Sequence, residues 1–246
     1  MFSLEIVIPV LNEEKALPVC IDQLFQFCEK NMQSYDWKIT IADNGSTDNT
    51  YSVAADLKKQ YSKIDVSRMT KKGRGRALKL VWMESQADIV AYMDVDLSTD
   101  LAHLPSAVDS VASGECSISI GSRLSRGSKV IGRTIKREIV SRCYSALFRA
   151  LFLVSFKDAQ CGFKVVSRQV VDSVIPLVED TGWFFDTELL IISEKNGYNV
   201  CEIPVIWTDD PDTRVKIFKT AWEDIKGLLR IRFGGLAASR KVLSSH

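Results

Sequence analysis

The sequence predicts an α/β domain organised on a parallel sheet, and two observations carry that prediction. Apolar runs of strand length alternate with amphipathic helical stretches, three strand-then-helix units ahead of a fourth strand, which is the pattern of right-handed βαβ crossovers. Each strand-like run also ends in a polar loop, and ligands bind outside the carboxyl ends of strands in such sheets. With 246 residues, 46% hydrophobic and 26% charged, the chain can bury a core that needs no staples. One domain over residues 1–233 with a frayed tail at 234–246 is expected.

Residues 4–10 are nearly all apolar, as suits a strand buried on both faces. Asn12, Glu13 and Glu14 then open a helix whose Leu17, Cys20, Ile21, Leu24, Phe25 and Cys28 recur at three- and four-residue spacing. Residues 37–42 form the second strand, and the turn and cap residues from Asp43 to Asp48 start the next helix. A third strand at 64–69 precedes Lys71-Lys72-Gly73-Arg74-Gly75-Arg76 and a helix over 77–86. Leu78 occupies the third glycine position of a dinucleotide fingerprint, so a Rossmann dehydrogenase is disfavoured. A basic glycine-rich turn at a helix start can still approach a diphosphate, or it is a solvated turn.

The run from residue 89 ends in Asp94-Val95-Asp96. Alternation along an extended strand would point both carboxylates to one side, where a divalent cation could be shared. A solvated strand-to-turn junction is the other reading. Adjacent like charges raise the cost of ionisation unless a cation or donors compensate.

A helix over 101–112, a strand over 117–121 delivering Ser122-Arg123, and a long helix over 134–154 follow. Between Arg123 and Arg149 lie eight basic residues against one acid, Glu138, which implies an anionic partner. On the long helix Ile135, Ile139, Cys143, Leu147 and Leu151 make one apolar stripe, and Tyr144, Phe148 and Phe152 a second. Such a helix is either sandwiched in protein or lies at a membrane interface. Gly197 ends a helix opened at Trp183, and Pro204 places the strand over 200–207 at an edge or a bend. A charged loop then leads to an amphipathic helix over 215–233 with Phe218, Ala221, Trp222, Ile225, Leu228 and Leu229 facing inward.

Whole-chain properties narrow the function. A net charge of +1 disfavours a general nucleic-acid binder. Six cysteines without a Cys-x-x-Cys, and only two histidines, argue against zinc, and the thiols read as small core residues in a reducing compartment. No leader pattern opens the chain and no run of 18 apolar residues occurs, so any membrane contact is expected from the side.

The ordered set Ile-Pro-Val-Leu-Asn-Glu-Glu, Ala-Asp-Asn-Gly-Ser-Thr-Asp, Lys-Gly-Arg-Gly-Arg-Ala-Leu, Met-Asp-Val-Asp-Leu-Ser, Gly-Ser-Arg, Asp-Ala-Gln-Cys-Gly-Phe-Lys and Trp-Phe-Phe-Asp-Thr-Glu-Leu-Leu resembles glycosyltransferase family 2. Within it, the polyprenyl-phosphate (dolichyl-phosphate) mannosyl- and glucosyltransferases are most similar, over residues 6–217. The resemblance implies a GT-A, Rossmann-like fold with a mixed, mostly parallel sheet flanked by helices. It also implies inverting transfer of a hexose from a nucleotide sugar, GDP-mannose or UDP-glucose in type, to a polyprenyl phosphate. Pro9, Leu11, Asn12, Glu13, Asp43, Arg74, Val95, Arg214 and Lys216 match donor-binding positions. Asp94 and Asp96 match the pair that holds Mg²⁺ or Mn²⁺, with Asp96 the direct ligand. Ser98 stands where mannosyl members often carry Gln, as a weaker oxygen ligand, and Asn44 replaces the second Asp of the usual Asp-Asp-Gly-Ser. Arg123, Arg137 and Ser141 match acceptor-phosphate positions, and Gln160, Asp186 and Glu188 fall in motifs without a fixed role. Asp94, Asp96 and Arg123 are thereby the expected catalytic set.

Close relatives often end in transmembrane helices whereas this chain stops soon after Phe233, which implies peripheral attachment on the cytoplasmic side. The acceptor phosphate is already ionised and needs little general-base help, in keeping with the absence of histidine near these motifs. Two alternatives remain at this stage. One is transfer to a saccharide hydroxyl with Asp186 or Glu188 as base; the other is a non-catalytic nucleotide-sugar-binding subunit.

Overall fold

Four parallel strands, β1 (Ser3–Val10), β2 (Asp36–Asp43), β3 (Ile64–Arg68) and β4 (Ile89–Met93), pair in the order β3-β2-β1-β4 in a computed structural model. Helices α1 (Ala16–Asn31), α2 (Thr50–Gln60) and α3 (Arg74–Glu84) make the crossovers between them. The structure describes residues 1–209, 217–236, 239 and 243, without the side chains of 217–219. A 3-10 turn, Leu101–His103, leads into α4 (Leu104–Ala112) and then β5 (Ile118–Ser122), so this half follows the expected pattern to within a few residues.

Beyond β5 the sheet is mixed. Strand β7 (Phe163–Ser167) runs antiparallel between β4 and β5, and β8 (Val200–Pro204) adds parallel to β5 at the edge, completing seven strands. Pro204 ends β8 at that edge, and β9 (Ile206–Thr208) turns away to pair with β6 (Lys129–Ile131) in a second, two-stranded sheet. Strand β7 escapes a sequence reading because it is five residues long and Lys164 interrupts its apolar run.

Alternate strand residues face two cores. Val7, Val90, Tyr92 and Val166 face one with α3, α5 (Ile135–Phe152) and α7 (Phe185–Lys195), while Ile6, Ile8, Ala91 and Val165 face the other with α1 and α4. The short helix α6 (Arg168–Ser173) caps the first core.

The two stripes left open on α5 are told apart, and several expectations are corrected. On α5 the stripe of Tyr144, Phe148 and Phe152 packs inward, whereas Ile135 and Ile139 are 80% and 56% exposed. On α8 (Ile217–Arg230) the inward face is Asp224, Gly227 and Leu228; Trp222, Ile225 and Leu229, expected inward, are exposed. The wide apolar stripe is compatible with either rotation, and Gly227 decides it: a Cβ there would lie 2.3 Å from the Phe184 ring, so only glycine allows this close face. Phe218 lies outside the described side chains. The helical path continues past residue 233 through a π-turn, Ile231–Gly235, with Ile231 buried, Leu236 packed on the core and Ser239 only 3% exposed. The thiols are also not all free: Cys116, after α4, is joined to Cys201 on β8 by a disulfide, and Cys143 is exposed. Among the described residues no helix is long and apolar enough to cross a membrane.

Candidate active site

The carboxyl ends of β1 and β4, with α5, α8 and the turn before α3, enclose a cavity of about 1050 Å³. Its donor-side wall is set by loops tied to one another. Asn12, held at φ +57, accepts the Thr47 N–H at 2.8 Å through Oδ1, and its own N–H donates to Ser46 Oγ at 2.9 Å. Glu13 N–H donates to Thr50 Oγ1, and Asn44 Oδ1 accepts the Gly73 N–H at 2.7 Å, which fixes the basic glycine turn to the end of β2. Asn44 thus supplies an amide acceptor where the usual motif has a carboxylate.

The strand alternation expected for Asp94-Val95-Asp96 is not what the chain does. Strand β4 ends at Met93, and a turn closed by Leu97 N–H on Asp94 O at 3.1 Å, with Leu97 at φ +48, carries both acids into the cavity. They differ in surroundings. Asp94 Oδ1 accepts from Arg74 Nη2 at 2.9 Å, while exposed Asp96 accepts the Ser98 N–H at 2.9 Å through Oδ1. A Cβ on Gly162 would stand 1.7 Å from Asp94 Oδ2, so glycine at this point of the loop before β7 is what admits the carboxylate. Gly162 O also accepts the Asp94 N–H at 3.1 Å.

Behind this pair runs a buried charge network. Arg74 Nη1 donates to Asp186 Oδ2 at 2.6 Å, Tyr92 OH donates to Asp186 Oδ1 at 2.6 Å, and fully buried Lys164 lies 3.1 Å from the same oxygen. Burial alone would push the Asp186 carboxyl up, but Lys164 and Arg74 outweigh it and hold it below the usual range. Both Asp186 oxygens are thus engaged, and the carboxylate holds Arg74, whose guanidinium also lies 4.8 Å from the Tyr92 ring and 5.0 Å from that of Trp183. Glu188 sits away from the cavity, accepting from Arg230 at 2.7 Å and from the Asp180 N–H.

The opposite wall is basic. Arg123, matched in sequence to an acceptor-phosphate position, has one edge of its guanidinium engaged within the protein. Nε and Nη2 each donate to Asp158 at 2.8 Å, and the Arg123 N–H makes a third bond to the same carboxylate. Burial favours protonation of Asp158, but Arg123 prevails and lowers its pKa. Arg137 is ion-paired to Asp209, and Ser141 Oγ accepts from Arg133, which also lies 3.2 Å from Glu138. On the third wall Gln160 donates to Asp224.

Of the residues singled out in the sequence, the cavity brings together Pro9, Leu11, Asn12, Glu13, Arg74, Asp94, Val95, Asp96, Ser98, Arg123, Arg137, Ser141 and Gln160. Asp43 is not on the wall. It is fully buried beneath the loop, accepting the Ser46 N–H at 3.0 Å. Arg214 and Lys216 lie outside the described residues. Missed by the sequence reading were Asp158, Arg133, Lys164, Trp183, Asp209 and Asp224. Asp158 and Lys164 stand inside a motif already quoted, and Asp224 is signalled by a carboxylate three residues after Ala221 and four before Leu228, on what becomes the inner face.

A mixed sheet with a tight acidic turn after β4, facing a basic wall across one cavity, defines a GT-A glycosyltransferase fold. The profile of glycosyl transferase family 2 matches residues 5–175, and the chain belongs to that family. It is 32% identical over 227 residues to glycosyltransferase AglD of Haloferax volcanii, covering 92% of this chain and 36% of that protein. The chain thus spans about a third of the length of that relative. It is 28% identical over 242 residues to the dolichyl-phosphate beta-glucosyltransferase of Homo sapiens, covering 94% of this chain and 75% of that one. Glucosyl-3-phosphoglycerate synthase of Mycobacterium tuberculosis shares the fold, with a TM-score of 0.71 at 20% identity over 95% of this chain and 81% of that one. The same protein has been crystallised with Mn²⁺ and UDP-glucose, at a TM-score of 0.67 and 19% identity over 95% of this chain and 79% of that one.

Proposed function

We propose that the protein transfers a hexose, with inversion, from a nucleoside-diphosphate sugar to the phosphate of a polyprenyl phosphate at a membrane surface. The observation that carries this reading is the division of one cavity into an acidic turn with Arg74 and Lys72 on one side and three arginines, Arg123, Arg133 and Arg137, on the other. Two phosphate-bearing substrates need two cationic ends, and the sugar passes between them. Relatives named dolichyl-phosphate beta-glucosyltransferase favour a glucosyl donor.

The acidic turn suits Mg²⁺ or Mn²⁺. Asp96, exposed on the acidic turn and a hard oxygen ligand, is the residue to bind the cation, with Asp94 and Ser98 beside it. When bound, the cation supplies positive charge for the leaving diphosphate. Arg74, aligned by Asp186, adds a fixed donor at the same place. At the acceptor end Asp158 holds Arg123 rigid, while Arg133 with Ser141, and Arg137 once Asp209 yields it, receive the attacking phosphate. That phosphate is ionised at neutral pH, so the reaction needs no base, consistent with both Asp186 and Glu188 being committed elsewhere. The same commitment weighs against a saccharide-hydroxyl acceptor using either as base.

The exposed apolar stripes of α5 and α8 flank this cavity, each with basic neighbours such as Lys136, Arg142, Lys226 and Arg232, as a helix at an anionic lipid surface requires. Incubation with radiolabelled UDP-glucose or GDP-mannose, polyprenyl phosphate and Mn²⁺ tests the proposal. Label is expected in the lipid phase with one donor, and its absence with every donor refutes the reading. Asp96→Ala is expected to abolish transfer with an unchanged circular dichroism spectrum.

A further inference from the structure

The wall contributed by α8 holds a carboxyl group that the reaction outlined above leaves without a task. Asp224 lines the cavity and is 3% exposed. Its Oδ2 accepts from Gln160 Nε2 at 2.8 Å, while Oδ1 has no hydrogen-bond partner among the described residues. The close seat of Gly227 on Phe184, one turn further along, fixes the face on which Asp224 lies. An unpartnered buried carboxyl oxygen carries a desolvation cost that a ligand hydrogen bond would offset.

The chemistry of that ligand follows from the charges around it. Cations mark the two phosphate ends of the cavity, whereas the charged groups with the largest influence on Asp224 are Asp180, Glu223 and Asp186, all acidic. A phosphate placed there would add negative charge to negative charge. A hydroxyl both donates and accepts, and a carboxyl beside a primary amide is the kind of convergent polar pair that recognises one. Resting on the nucleotide-sugar reading, we propose that Asp224, steadied by Gln160, hydrogen-bonds a hydroxyl of the transferred hexose and so selects among donor sugars. Burial pushes this carboxyl up to about 7, against the partly offsetting Gln160 bond, so near neutrality it can either accept from or donate to that hydroxyl.

The test measures binding of UDP, UDP-glucose, GDP and GDP-mannose to the full chain with Mn²⁺ by calorimetry, for wild type, Asp224→Ala and the isosteric Asp224→Asn. Asp224→Ala is expected to weaken nucleotide-sugar binding about 10-fold and to leave the matching nucleoside diphosphate unchanged. Asp224→Asn, which keeps the shape and guards against a folding failure, should show a smaller loss of the same selective kind. With the sugar nucleotides deoxygenated one position at a time, one analogue should bind wild type more weakly than the parent sugar yet bind Asp224→Ala no more weakly than the parent does. Equal losses for diphosphate and sugar nucleotide, or no loss at all, would each overturn the assignment. Failure of wild type to bind any of the four ligands sinks the nucleotide-sugar reading itself, which is a separable result.

Discussion

At the scale of single residues the site is a set of charges arranged before any substrate arrives. Asp158 exists to hold Arg123, so Asp158→Ala leaves a guanidinium that is 13% exposed without its counter-ion. A loss of about 3–5 kcal/mol of unfolding free energy in urea denaturation is expected. Asp224 acts in the opposite sense. Its pKa is raised on folding to about 7, so the stability it contributes is whole below the ordinary carboxylate range and is lost as pH rises through about 7. Asp224→Asn should therefore melt higher than wild type at pH 8, by a few degrees for a gain on the order of 1 kcal/mol, with the gap closing toward pH 4. For Asp158 and Asp186 the folded values are lowered, so their contribution is whole above the ordinary carboxylate range and disappears as pH falls through the depressed values. The sequence made the identities of Asp94, Asp96, Arg123 and Arg137 legible because they stand in short ordered motifs. Their pairings, and that of Arg74, were not legible, since Asp158 and Asp209 reach Arg123 and Arg137 across 35 and 72 positions of chain and Asp186 reaches Arg74 across 112, and nothing local announces such partners.

Helices α5 and α8 show what periodicity can and cannot tell. Both stripes of α5 were visible in the spacing, but which one faces water is decided by what packs on it, here the stack of Phe148 on Phe156 at 5.2 Å. On α8 the apolar residues outnumber the places in the core, and Gly227 sets the rotation. The outcome puts Trp222, Ile225, Leu229 and Phe233 on one solvent-facing line. Replacing Ile139 and Leu229 with Glu is expected to reduce sedimentation with vesicles containing anionic lipid by about 10-fold, leaving far-UV circular dichroism unchanged. If binding survives the double substitution, these stripes are not the lipid-facing surface.

For the molecule as a whole, the parallel half was readable because each of its strands is followed by a crossover helix and a polar loop at the cavity. The other half depends on pairings with no sequence signature: β7 enters between β4 and β5 in reverse, and its Lys164 is a core residue only because Asp186 and Tyr92 meet it there. Replacing Lys164 by Met should leave Asp186 with Arg74 and the Tyr92 hydroxyl but without the Lys164 charge, and slow turnover more than it weakens donor binding, measured as kcat against KM.

Gly162 joins these scales, because the space its missing side chain leaves is filled by the carboxylate of Asp94. The acidic turn has its final shape only after the segment leading into β7 has arrived from about seventy positions away. In refolding, the ability to bind a nucleotide should accordingly be among the last properties to return, appearing with the β4–β7 pairing rather than with the earlier parallel strands. Gly162→Ala is expected to yield a chain that regains its secondary structure but not its ligand affinity.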